Sequence, residues 1–212
     1  MRKLSLWLAS GLMLGLSACH FPTSSGKRTM VEHTVNPQPK QAYQLTMTLA
    51  DAPGPFASML GLVQYNVVTQ KCMPPPDSNP GGASMHMTRH VEFELTRVSD
   101  VEYTGTVYAD GILDEDYYGR GICRWQLTQA RVHLKATGAP RETLFNASIS
   151  AEPLLAERTE KIYFLKASYP RHPESVEEDP IASGQSDQAK IPPQFAEKDL
   201  FAITLASKRS AP

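Results

Sequence analysis

The chain of 212 residues carries 21 Lys and Arg against 22 Asp and Glu, with 41% hydrophobic residues, 17 prolines and three cysteines. A net charge of −1 with no basic field excludes a nucleic-acid reader and a polybasic membrane patch.

Met1 to Cys19 reads as a processing segment, to be set aside before the fold is considered. Arg2 and Lys3 supply a positive end, and Leu4 to Gly15 (LSLWLASGLMLG) is an apolar run. That run is too short for a stable anchor, which needs roughly 20 residues. It ends in Leu16-Ser17-Ala18-Cys19. The order of charge, apolar run, small residues and cysteine resembles a bacterial lipoprotein signal. The resemblance implies cleavage after residue 18 and acyl chains on Cys19, which becomes the first residue of the mature protein. Two or three chains, at about 0.8 kcal/mol per buried methylene, hold such a protein to the membrane essentially permanently. His20 is not the aspartate with which that family retains proteins at the inner membrane, so the outer membrane, periplasmic face, is expected.

Removing the first 18 of 212 residues leaves 194, a length suited to one domain with its own core or at most two small ones. With Arg2 and Lys3 gone, the mature charge is near −3. Lipidation of Cys19 leaves Cys72 and Cys123, and an oxidising envelope makes a disulfide between them the expected state. No metal-ligand spacing accompanies these thiols, and neither stands alone as a catalytic thiol would.

Residues 19–40 are rich in Ser, Thr, Pro and Lys without periodicity and read as a flexible tether, with a typical reach of about 25 Å. The β-rich domain is expected over 41–170. In AYQLTMTLAD, Tyr43, Leu45, Met47 and Leu49 alternate with polar residues, the period of a strand with one buried face. Asp51 to Pro55 is a turn. Val63, Tyr65 and Val67 mark a second strand, which delivers Cys72, and Met73 to Gly82 (MPPPDSNPGG) is an exposed loop. His90–Val98 and Val101–Ala109 alternate on either side of Ser99-Asp100 and read as a hairpin.

Asp110 to Leu127 (DGILDEDYYGRGICRWQL) reads as an acidic surface loop feeding a central strand. Gly119 and Gly121 permit a positive φ there, and Cys123, Trp125 and Leu127 form the buried face that follows. Ala130 to Ala136 continues the pattern, and Leu144 to Ser150 is a further strand. Glu152 to Glu160 is the one plausible helix, with Pro153 in its first turn and Leu154, Leu155 and Arg158 along a weak apolar face. Lys161 to Ala167 returns to strand and stops at Tyr169-Pro170. Residues 171–193 form a long polar loop or disordered excursion. Residues 194–212 add a C-terminal strand, Leu200 to Leu205, and a tail to the same domain. About eight strands at this spacing make the fold mainly β, an antiparallel β-sandwich or open barrel with one short helix.

The acidic turn is the strongest candidate site. Asp114, Glu115 and Asp116, with Tyr117 and Tyr118 as anchors, suit a partner bearing a basic patch, because tyrosine is enriched at binding hot spots and charge steers encounter. The same carboxylates, with Asp110, suggest calcium, but the EF-hand order is not met and a solvated turn is the simpler account. Paired acids for glycan hydrolysis need separated environments, which one exposed turn does not supply. His86 and His90 share a spacing of four without the zincin glutamate, and His133 stands alone, so all three read as surface histidines. Trp125 reads as core against the disulfide, or else as an aromatic ligand platform. No nucleophile elbow, P-loop or dinucleotide fingerprint occurs, so no catalytic residue, metal or cofactor is assigned.

Cys72, the run Asp114-Glu115-Asp116-Tyr117-Tyr118-Gly119 and the run Gly121-Ile122-Cys123-Arg124-Trp125 together resemble small envelope lipoproteins of Gram-negative bacteria, over roughly residues 42 to 170. Many of these are immunity proteins against envelope-acting toxins of contact-dependent secretion systems, the type VI class especially. The resemblance implies a lipid-anchored, non-enzymatic binding protein whose partner is a secreted toxin. The alternatives are a structural or assembly lipoprotein of an envelope or secretion complex, and an envelope hydrolase.

Overall fold

A computed structural model describes residues 32–73, 87–172 and 174–211, and Glu32–Pro212 forms one compact unit. Cys19, His86 and the Met73–Gly82 loop beyond Met73 lie outside the described residues. The strands are β1 (Ala42–Ala50), β2 (Ser58–Val67), β3 (Thr88–Phe93), β4 (Thr96–Arg97), β5 (Glu102–Tyr108), β6 (Trp125–Lys135), β7 (Leu144–Ser150), β8 (Thr159–Leu165), β9 (Ile181–Ala182) and β10 (Leu200–Arg209). They make two five-stranded sheets, ordered β4-β5-β1-β10-β8 and β3-β2-β6-β7-β9. The fold is mainly β and consistent with a sandwich, with no closed barrel. No helix among the described residues is long and apolar enough to cross a membrane.

Period-two alternation builds the core, because each strand turns every second side chain inward. Leu45 and Met47 from β1, Phe201, Ile203 and Leu205 from β10 and Phe164 from β8 meet Val63 and Tyr65 from β2, Val132 and Leu134 from β6 and Phe145 from β7 in one buried cluster. Phe145 lies edge-on to Phe201 at 5.3 Å between ring centroids and to Phe164 at 5.7 Å, a geometry that favours aromatic pairs. In β6 the inward positions change parity, from Leu127 to Ala130 and Val132. The pairing with β2 shifts register between Gln64 and Tyr65 to absorb the extra residue Thr128, whose Oγ1 donates to the Gln64 carbonyl at 3.1 Å. This is a β-bulge, and it keeps both halves of the strand facing the core.

Four expectations are corrected. The run His90–Val98 is not one arm of a hairpin: β3 pairs with β2 in one sheet, and β4 pairs with β5 in the other. The chain crosses between sheets at Glu94 and Leu95. Gly105 on β5 permits the crossing, since a Cβ there would lie 2.7 Å from the Glu94 carbonyl and the Phe93 ring. The helix is also shorter than expected, spanning only Ala151–Leu155, α1. Glu157 adopts a left-handed φ of 56° and turns the chain straight into β8.

The third correction concerns 171–193, which is pinned to the body. The Arg171 guanidinium donates to the carbonyls of Arg141, Ser175 and Glu177 at 2.6, 3.0 and 3.2 Å. Its β9 pairs parallel to β7, so that sheet is mixed. Fourth, the free tether does not reach residue 40. His33 is buried, Val35 bridges Ile112, and Asn36 donates its amide to the Gly111 carbonyl at 2.9 Å. Polar composition marks these segments as solvated, but bonds such as Arg171 to Arg141 and Asn36 to Asp110 join residues 30 and 74 positions apart, where local composition carries no signal.

Candidate functional site

The acidic turn is folded by its own carboxylates. Asp116 Oδ1 accepts from the Arg120 amide at 2.9 Å and the Tyr118 amide at 3.3 Å. Gly119 and Gly121 reverse the chain at φ of 66° and 98°, with open space around both. Backbone N–H groups of Gly121 and Arg120 hold the Asp116 carboxyl below its ordinary pKa, because they stabilise the charged form. Asp114 Oδ1 accepts from the Trp125 amide at 2.8 Å, and the Glu115 carbonyl accepts from the Cys123 amide at 2.9 Å. Glu115 Oε2 accepts from Thr34 Oγ1 at 3.0 Å. Asp114, Glu115 and Asp116 are all exposed. The result is an acidic knuckle with one oxygen of each carboxylate fixed from behind.

Beneath it, Cys72 and Cys123 are joined at 2.04 Å, both fully buried and packed with Val67, Met73, Met87, Trp125 and the two tyrosines. The 3₁₀ turn Gln70–Cys72 after β2 brings the first cysteine into place, and Arg124 donates its amide to Thr69 Oγ1 at 3.4 Å beside it.

Tyr117 and Tyr118, expected as anchors, are half-buried, and their hydroxyls are engaged within the protein. Tyr117 Oη donates to the Leu113 carbonyl at 2.7 Å and accepts from the Thr34 amide at 3.2 Å. Tyr118 Oη meets His33 Nε2 at 3.1 Å. Burial raises the pKa of both phenols, with the charge of Glu115 adding to the effect at Tyr117. His33 completes the set, with ring centroids 4.9 Å from Tyr117 and 4.7 Å from Trp125. Burial, then the Arg89 charge, hold its pKa below the ordinary value. Trp125 therefore packs as core against the disulfide, and its Nε1 is buried without a hydrogen-bond partner. Asp110 is drawn away from the acidic cluster, its two carboxylate oxygens accepting from the Lys40 and Gln41 amides at 2.8 and 3.0 Å.

Of the candidate histidines, His90 and His133 sit on the outer face of the second sheet. His90 Nε2 lies 3.1 Å from Gln64 Oε1 and 3.0 Å from Arg131 Nη2. His90 is on a strand, so the helical zinc spacing does not apply to it. Burial and then Arg131 lower the pKa of His90 and of His133. No group of three or more His, Cys, Asp or Glu among the described residues is placed to hold a metal ion.

One feature went unread in the sequence. A cleft of about 500 Å³ opens where β3 and β5, on different sheets, diverge. Tyr65, Phe93, Glu92, Glu94, Thr104 and Thr106 line it, together with Val35, Asn36 and Pro39. It lies beside the crossover at Glu94, and the sequence signal was Gly105, a glycine within β5 that a plain hairpin would not require. No family model, curated protein or solved structure matches the chain.

Proposed function

We propose that this chain is a lipid-anchored, periplasm-facing, non-enzymatic binding protein, and in its sharpest form an immunity lipoprotein that caps an envelope-acting secreted toxin. The observation that carries the reading is the acidic knuckle. Three exposed carboxylates stand on a short loop tied to Trp125 and Thr34 through the Asp114 and Glu115 carboxylates and to Cys123 through the Glu115 carbonyl, above a disulfide. A loop already ordered before binding loses little entropy on meeting a partner, and its negative charge steers a basic surface toward it. The lipoprotein signal supplies the placement, since a toxin acting in the envelope must be met there.

The exposure of the carboxylates and the internal hydrogen bonds of the two tyrosines support a division of roles in this reading. The carboxylates of Asp114, Glu115 and Asp116 meet it, and Tyr117 and Tyr118 support them from below.

Two experiments test the reading. Cells given labelled palmitate should mark the wild-type protein and leave a Cys19→Ser variant unmarked; an unmarked wild type removes the anchor from the account. A deletion strain grown in contact with its parent should be killed by it, and should be rescued by the gene supplied in trans. Equal survival of parent and deletion strain would sink the immunity reading, and recovery of the protein in a multi-copy membrane complex would favour an assembly lipoprotein instead.

A further inference from the structure

The segment from His33 to Gln41 crosses the body as a strap with two different fastenings. At its C-terminal end the fastening is a carboxylate on backbone amides: Asp110 accepts from the Lys40 and Gln41 N–H groups, and Asn36 Nδ2 donates to the Asp110 carbonyl at 2.8 Å. At its N-terminal end the fastening is a ring in a box. His33, 6% exposed, sits edge-on to Tyr117 and Trp125 and meets the Tyr118 hydroxyl. Between them, Val35, Asn36 and Pro39 form one wall of the 500 Å³ cleft. Thr34 ties the strap to the knuckle through Tyr117 and Glu115.

We propose that residues 33–41 are a proton-released strap, latched by His33 and hinged at Asp110, whose release opens the cleft and loosens the acidic knuckle. The groups facing His33 explain why the latch responds to protons. Arg89 comes from β3, Tyr117 and Tyr118 from the knuckle, and Trp125 from β6. Of the carboxylates that touch the strap, Glu115 is engaged by Thr34 and Asp110 by the Lys40 and Gln41 amides at the far end. A proton on His33 thus places a second positive charge in an aromatic box beside an arginine, with one hydroxyl as its polar contact. Burying such a charge without a counter-charge is costly.

The sign follows from the direction of the His33 shift. Its folded pKa lies below the value of 6.5 that a free ring has. Closure is therefore fully favoured above that value, and is lost as pH falls through the lowered one. Release frees the ring to take its proton in water. The proposal concerns the strap alone and stands whether or not the knuckle binds a toxin.

Hydrogen exchange on the full mature chain tests it without any partner. The reporters are the amides of Thr34, Asn36 and Leu113, which bond to Tyr117 Oη, the Gly111 carbonyl and the Thr34 carbonyl. Corrected for intrinsic rates, their protection should fall about tenfold or more between about pH 7.5 and about pH 5, while core amides of β10 change less than about twofold. His33→Phe keeps an aromatic ring and removes the proton, so it should flatten the response. Equal protection at both pH values, or the same loss in His33→Phe, would overturn the proposal. Should that variant not fold, the wild type alone decides: the protection midpoint must track the titration of the His33 ring by NMR, and midpoints more than about one pH unit apart would overturn it.

Discussion

At the scale of single residues, the contact between Tyr65 and Gly111 shows how little space the closed end of the cleft has. Tyr65 is buried at the head of the core, and its hydroxyl donates to the Tyr108 carbonyl at 2.5 Å. Burial, with the charge of Asp110, raises its pKa strongly. A Cβ on Gly111 would overlap that hydroxyl. Gly111→Ala should therefore cost about 1–3 kcal/mol by overpacking, and Tyr65→Phe about 1–2 kcal/mol by leaving a carbonyl without its donor. Because both act on one bond, the double variant should cost less than the sum, and urea unfolding of the three proteins checks this. A fully additive double variant would contradict the shared contact. Alternation with Val63 and Val67 marked Tyr65 as inward-facing, but nothing local pointed to Tyr108, 43 residues away.

At the scale of elements, the knuckle depends on its staple. The disulfide closes a loop of 51 residues, and in the chain-entropy account a loop of that length restricts the unfolded chain by about 4 kcal/mol. Replacing both cysteines by serine should lower stability by up to that amount. It should also expose Trp125, so that its fluorescence shifts to the red in the folded variant. Unchanged stability and emission would show that the knuckle holds itself without the staple. The strands themselves were legible where one face is buried and the other wet: in β1, Tyr43, Leu45, Met47 and Leu49 lie on the core face as their spacing required. The bulge went unread, because Ala130 to Ala136 continues the alternation and hides the change of parity after Leu127. Alternation does not say which sheet a strand joins, and for that reason Val91, Phe93 and Leu95 read as one strand across a crossover. The same limit hid the internal bonds of the tyrosines, because His33 meets Tyr118 across 85 residues.

For the molecule as a whole, three histidines among the described residues bear on stability in mild acid. His33, His90 and His133 all have folded pKa values below the ordinary one, each held down first by burial and then by a neighbouring arginine. A depressed histidine contributes stability that is present above about 6.5 and is lost as pH falls through the folded value. Global stability should be flat above about pH 7 and decline below about pH 6.5, with proton uptake on unfolding. Urea midpoints across that range check this, and a midpoint that rises on acidification would contradict the preference of these rings for the neutral form in the folded protein. The same two sheets carry the strap, the cleft and the knuckle, so loss of the fold removes all three.

The knuckle's charge is the claim on which the functional account turns. Asp114→Asn with Glu115→Gln keeps an oxygen for the Trp125 amide and for the Thr34 hydroxyl, and removes two negative charges. In the deletion strain challenged by its parent, this double variant, present in the envelope at the wild-type level, should lose about tenfold or more of the wild-type protection, near 1.4 kcal/mol of binding. Protection equal to wild type at equal abundance would contradict the acidic knuckle as the partner-binding surface.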